Sequence, residues 1–409
     1  MSTLIMRRLG SRSAQRTREP FYQNIKTAFT KIGTGIFTKQ PYSDGSEISS
    51  RCRSLILQPI EQFKARLRLP YSMRHVPIDQ FNHLIDIREF PISGDIVLAS
   101  VEKIAKNSAI ELDNGRRSSL HEGDIIAAVF GNRYATLQFE GLAQRNGDFC
   151  DLLSMGGLCG IVQSKHAKVA EPTKLRLLGA VSDSNNHPLS LRNCRVQHTE
   201  ATSRPHIIVV CGSSMDAGKT YTAMSIIKGL EQSGKTVAGI KLTGTATGKD
   251  TWNMLDGGAC VALDFVDGGF PSTYLCDHDE LLQLFHLLVG YAAANSAEYV
   301  VIEIADGLLQ RETAMLLQSS IFTREVDTWV FAGGDPMSAE SGVRMMRNWR
   351  IQPTVISGVL TMSPLNIGET ELATGLTCMT ARELQGGALN GLLNERVLQA
   401  RTAPVRKSA

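Results

Sequence analysis

The stretch HIIVVCGSSMDAGKTYTAM, residues 206–224, constrains the fold more than any other part of the chain. Ile207–Cys211 is a continuous apolar run, mostly β-branched, which suits a strand buried on both faces. It enters Gly212 with no spacer, and Gly218-Lys219-Thr220 then opens an amphipathic helix. Further apolar runs follow, TVAGIKL, YVVIEIA, TWVFAG and PTVISGVL, alternating with helix-like segments after Lys219 and at 279–294, 311–322 and 337–349. Continuous apolar strands between helices predict a doubly wound, mostly parallel α/β sheet over residues 206–395.

The texture upstream is different. Short β-rich runs at Ile96–Val101, Ser108–Leu112, Asp124–Phe130 and Ala135–Phe139 are separated by turn signals such as Asp113-Asn114-Gly115 and Glu122-Gly123-Asp124. That spacing predicts a small β-rich barrel or sandwich domain over residues 89–181. GDFCDLLSMGGLCG, residues 147–160, has glycines that fit a barrel corner or a phosphate contact. The polar, turn-rich segment 182–205 reads as a linker. Residues 1–88 read as a basic extension, partly disordered or helical, with one helix around ILQPIEQFKARLRL, and residues 396–409 as a disordered tail.

Composition excludes several classes of function. A net charge of +3 over 409 residues gives no global pull towards nucleic acid. The charge is uneven, with eight Lys/Arg against one acid in residues 1–40. A solvated tail is the plain reading of that arm; a nucleic-acid or lipid contact and a transit peptide are the alternatives. Eight cysteines without a C-x-x-C pair and nine histidines without H-x-x-x-H or H-E-x-x-H spacing argue against a disulfide scaffold or a zinc site. The apolar stretch LLQLFHLLVGYAAA, from Leu281, is too short to span a bilayer. These features predict a soluble, cytoplasmic protein with no membrane partner.

The loop after the first α/β strand carries the chemistry. Backbone N–H groups of a glycine turn and the helix it opens can wrap a diphosphate, helped by the helix dipole. Lys219 would reach the β- and γ-phosphates and Thr220 would offer a hydroxyl to Mg²⁺. The loop candidates are Gly212, Ser213, Ser214, Met215, Ala217, Gly218, Lys219, Thr220 and Tyr221. Ligands of open α/β sheets bind at the carboxyl ends of strands, which is where Lys241, Glu303, Asp306 and Gly333–Asp335 fall.

In the usual pattern, G-x-x-x-x-G-K-[ST], the first glycine would come one residue later. Gly212, five intervening residues and then Gly218-Lys219-Thr220 resembles instead the loop of dethiobiotin synthetase and its relatives, a branch of P-loop proteins that includes small-molecule ligases. That branch keeps an acid two residues before the second glycine, and Asp216 stands there. Its next strand ends in a lysine that touches phosphate or substrate, matched by Lys241, and its acidic strand end matches Glu303 in IEIADG, which implies Glu303 as a Mg²⁺ ligand. Thr361, Met362 and Ser363 stand where the branch has its base-recognition asparagine, a departure that removes the residue-level ground for adenine specificity, and ATP rather than GTP is implied by the family alone.

TGTATG, LDFVDGG and IEIADGLL are also similar to segments of a little-studied P-loop family that includes a D-glutamate N-acetyltransferase and whose members carry a short N-terminal domain. This similarity implies Thr243, Gly244, Asp264 and Asp267 as pocket residues, with Asp306 departing from a glycine-rich position. Lys249 and Asp250 lie in a connection rich in Asp and Gly that could hold substrate, and Arg311 could neutralise phosphate charge.

Motif and resemblance together imply a P-loop NTPase fold and an ATP- and Mg²⁺-dependent enzyme acting on a small molecule, as a kinase or a carboxylate-activating ligase. Lys219, Lys241, Glu303 and Asp216 would be catalytic, and Thr220 and Glu303 would hold the metal. Thr243, Gly244, Asp250, Asp267, Asp306 and Arg311 would meet a substrate such as an amino acid or another carboxylate. The alternatives are an acyl-CoA-dependent N-acyltransferase that grips CoA phosphates with the same loop, and a nucleotide-switched regulatory protein. Relatives of this branch often work as dimers, which leaves a homodimer open.

Overall fold

The computed structural model describes residues 58–64, 66–197 and 203–393. The basic arm and the 396–409 tail lie outside these residues. The expected helix near residue 60 reduces to Glu61–Lys64, just after a two-residue strand, β1 (Gln58–Pro59).

The N-terminal strands are β2 (His83–Ile85), β3 (Ile96–Lys103), β4 (Ala109–Glu111), β5 (Arg117–Ser119), β6 (Ile125–Phe130), β7 (Phe139–Leu142), β8 (Phe149–Leu152), β9 (Leu158–Lys165) and β10 (Thr173–Ser182). Their pairing closes on itself: β10 pairs with β3, β3 with β6, β6 with β9, β9 with β8, and β8 again with β10. Closure into a small barrel removes the unpaired edges of an open sheet. Strand alternation then divides the side chains. Val97, Ala99, Val101, Ile126, Ala128 and Phe130 fill one cluster with Cys150, Leu152 and Leu175. Ile96, Leu98, Ala127 and Val129 point the other way into a much larger core. The segment Ala135–Phe139 is a correction to the sequence reading. Only Phe139 is in a strand; the rest is a turn.

The second sheet is entirely parallel, built from β11 (His206–Gly212), β12 (Val237–Lys241), β13 (Val261–Asp264), β14 (Tyr299–Glu303), β15 (Thr328–Ala332) and β16 (Val355–Ser357). The order is β13-β12-β14-β11-β15-β16. Ile208 and Val210 face a cluster with Ala223, Ile226, Ile227 and Leu230 of the helix Lys219–Gln232, together with Met254 and Leu384. Ile207, Val209 and Cys211 face the opposite layer, which contains the helix His278–Ala294 and the outward face of the barrel. The chain is thus an α/β protein with a parallel sheet preceded by a β-rich barrel.

Barrel and parallel sheet share one continuous core. Ile96, Leu98, Leu158, Phe265, Ile302 and Phe331 belong to the same buried cluster. The segment read as a linker takes part in this packing. Leu189 and Leu191 are buried, Val196 N–H donates to Asp267 O at 2.8 Å, and Arg192 pairs with Glu280 at 2.7 Å. Just ahead of β2, the turn Tyr71–Met73 is buried and joins both halves.

Candidate active site

The register of the parallel sheet determines which strand ends meet. Lys241 lies opposite both Glu303 and Asp264, and Val210 lies opposite Glu303. Gly212 then turns into the loop with little room to spare: a Cβ there would sit 2.6 Å from Ala332 O and 3.0 Å from the Lys219 side chain. Gly218 and Asp216 both take left-handed backbone, at φ 95° and 62°. Aspartate tolerates the left-handed conformation at position 216 better than most residues do.

The oxygens of three side chains converge on the helix opening. Thr220 Oγ1 donates to Glu303 Oε1 at 2.9 Å and lies 3.2 Å from Asp250 Oδ1. Glu303 is 2% exposed, and its second carboxylate oxygen has no hydrogen-bond partner. A buried carboxylate oxygen left unpaired is costly unless a cation or donor meets it. Asp250 is in turn ion-paired with Lys241. Lys219 is buried and donates to Ser214 O at 2.7 Å, and burial lowers its pKa below the ordinary lysine value despite nearby Glu303 and Asp306. Asp306 follows β14 with a positive φ of 62°. Burial raises its carboxyl pKa, while Lys219 and Lys241 oppose the shift.

These groups line a cleft of about 620 Å³. From the sequence candidates it gathers Met215, Asp216, Gly218, Lys219, Thr220, Tyr221, Lys241, Gly244, Lys249, Asp250, Glu303 and Asp306. Thr243 lines a smaller adjoining recess, where its Oγ1 accepts from Ala305 N–H at 2.9 Å. Gly212, Ser213, Ser214 and Ala217 form the back of the loop; Ser213 Oγ meets Gly334 N–H at 3.4 Å.

Four sequence candidates lie elsewhere. Asp267 does not line the cleft: Arg74 donates to its Oδ2 at 2.7 Å and His75 Nε2 is 2.5 Å from its Oδ1. Its neighbour Asp264 receives Tyr71 Oη–H at 2.8 Å and Arg74 at 2.9 Å. Both acids therefore clamp the Tyr71–His75 segment to the parallel sheet. Arg311 is turned to Cys276 O and Glu312, where it ties a helix start to a loop. Asp335 caps the helix Pro336–Asn348 by accepting from Ser338 N–H at 2.9 Å.

The barrel contributes a wall that the sequence reading did not foresee. Asn107, Arg133, Tyr134, Gln138, Ser154 and Gly156 line the same cleft. The glycine-bearing turn after β8 approaches the loop after β12 so closely that a Cβ on Gly156 would lie 2.0 Å from Ala246 O. Glu111 on β4 accepts from Thr247 Oγ1 at 2.9 Å and Gly248 N–H at 3.1 Å, which fixes the loop ahead of the helix Lys249–Asp256 that carries Asp250. The Gly156-Gly157 pair was the one visible signal for this wall.

No family model matches the chain, and no curated protein matches it in sequence. The similarities found among solved structures are distant. A DUF1611 family protein from Anabaena variabilis is 15% identical with a TM-score of 0.34, covering 52% of this chain and 64% of that one. The kinase domain of the Escherichia coli tyrosine kinase ETK is 17% identical with a TM-score of 0.28, covering 38% and 68%. A ParA family ATPase from Chlorobium tepidum is 9% identical with a TM-score of 0.29, covering 48% and 96%. The functional reading therefore stands on the site's own residues.

Proposed function

We propose that the chain is an ATP- and Mg²⁺-dependent enzyme that transfers the γ-phosphoryl group to a small molecule, either as a kinase or to activate a carboxylate for ligation. The observation that carries this reading is the convergence of Thr220 Oγ1, Asp250 and Glu303 beside the buried ammonium of Lys219, with Glu303 Oε2 unpaired. Oxygen donors with two carboxylates fit a hard cation that keeps several waters and shares phosphate oxygens. Mg²⁺ held by Thr220 and Glu303 would supply charge neutralisation at the β- and γ-phosphates.

The chain's own groups do the rest. N–H groups of the loop and of the helix start hold the diphosphate. Lys219 exchanges Ser214 O for phosphate oxygens, and Lys241, now paired with Asp250, is placed to meet charge on the transferring group. The acceptor oxygen forms its bond to the γ-phosphorus as the bond to the β–γ bridging oxygen breaks, and ADP leaves. A hydroxyl acceptor passes its proton to a carboxylate, for which Asp306 lies in the cleft; a carboxylate acceptor needs no such transfer.

The test is nucleotide turnover by the purified chain over a panel of small carboxylates and alcohols. Lys219→Ala should reduce turnover by about 100-fold or more, as loss of a single transition-state charge contact does elsewhere. Absence of nucleotide binding by the wild type at millimolar ATP would overturn the reading. Stabilisation by acetyl-CoA without stabilisation by Mg-ATP would favour the acyltransferase instead.

A further inference from the structure

We propose that Arg133, with Ser154, is a carboxylate-binding subsite for the acceptor, built into the barrel wall of the cleft. Arg133 is 8% exposed and lines the cleft, yet it makes no ion pair among the described residues. Nη1 donates to Leu153 O, Nη2 donates to Gln138 Oε1 at 2.9 Å, and Nε has no partner. Of a guanidinium's five N–H groups, most therefore lack a protein acceptor. Ser154 follows Leu153, lines the same wall, and its hydroxyl is likewise buried without a partner. A buried cation without a directly paired carboxylate is expensive. Burial draws the Arg133 pKa down to about 10, with Asp306 opposing the shift.

The charge pattern places this subsite on the acceptor side. Asp306 feels Lys219 and Lys241 of the phosphate end and also acts on Arg133. All four side chains line the one cleft. An acceptor whose carboxylate is held at Arg133 would extend its reacting group past Asp306 towards the γ-phosphate. Gln138, half-buried on the cleft wall, occupies Nη2 as a neutral acceptor that an incoming carboxylate displaces. The planar fork of a guanidinium matches a carboxylate in two parallel bonds, which an amide oxygen cannot reproduce.

This assignment rests on the nucleotide reading of the cleft, and the experiment separates the two. Sodium malonate is titrated into the full chain by calorimetry, beside its neutral diamide malonamide and beside sodium sulfate, all at matched ionic strength. Malonate should bind, malonamide should not, and sulfate should bind more weakly than malonate. Arg133→Met should weaken malonate binding by about tenfold or more, the worth of one charge-assisted hydrogen bond, and Ser154→Ala should weaken it by roughly threefold. Equal binding of malonate and malonamide, preference for sulfate, or full retention of malonate binding in Ser154→Ala or in a folded Arg133→Met would overturn the subsite. Mg-ADP binding by the wild type is measured in parallel: its loss sinks the nucleotide reading, whereas its presence with no malonate response sinks the subsite alone.

Discussion

Asp306 shows how one residue can combine conformational and electrostatic cost at a site. It holds a left-handed backbone, and its carboxyl is buried with a raised pKa. A carboxyl whose folded pKa exceeds its unfolded value stabilises the fold fully below the unfolded value, and the contribution is lost as pH rises through the folded one. Asn accepts the left-handed backbone equally well and carries no charge. Asp306→Asn should therefore be more stable than the wild type at neutral pH, and the gain should vanish as pH falls below the ordinary aspartate range, read as thermal midpoints across a pH series. An equal gain at every pH would mean that charge burial is not the cause. Lys219 and Glu303 were legible at this scale because a helix start after a glycine turn fixes the one and a strand end fixes the other. Asp267 was not, since an acid in the turn after a strand looks the same whether it meets a cleft or a distant arginine such as Arg74.

At the scale of elements, the cleft is made by connections that touch across the two sheets. The turn after β8 lies against the loop after β12, with Gly156 under Ala246 O. Gly156→Ala would force a side-chain carbon into a backbone carbonyl, so one of the two cleft walls must move. The expected cost is about 1–3 kcal/mol in urea unfolding, the range for overpacking, together with weaker nucleotide binding. An unchanged urea midpoint would show that the two loops separate freely. The parallel strands and their helices were readable from apolar runs and helix starts. The Ala135–Phe139 error has a local cause: alternating apolar residues there form a turn that lines the cleft with Tyr134, Ala135 and Gln138, and tertiary position overrides the pattern.

For the whole molecule, the question is whether barrel and parallel sheet are separable. Their shared cluster, from Leu98 and Leu158 to Ile302 and Phe331, is much larger than the barrel's own interior around Val97, Ile126 and Leu152. Asp264 and Asp267 add a buried ionic clamp on Arg74, and losing one partner of such a group typically costs about 3–5 kcal/mol. Denaturant unfolding should accordingly give one transition, coincident by far-UV dichroism and by the fluorescence of Trp252, Trp329 and Trp349, all of which lie in the parallel-sheet half. Two resolved transitions would show that the barrel folds as an independent unit.

The sequence by itself determined the parallel sheet, the glycine loop, the helix start at Lys219 and the strand-end positions of Lys241 and Glu303. Those features arise from local periodicity and from the few residues between a strand and the next helix. Only the tertiary structure decided that Asp250 joins Thr220 and Glu303, that Asp267 belongs to a clamp, and that Arg133 lines the same cleft as the glycine loop. The first depends on how the helix Lys249–Asp256 lies over the strand ends, and the other two on how the N-terminal half docks against the parallel sheet. That docking is governed by the shapes of two apolar faces, and no short stretch of sequence records it.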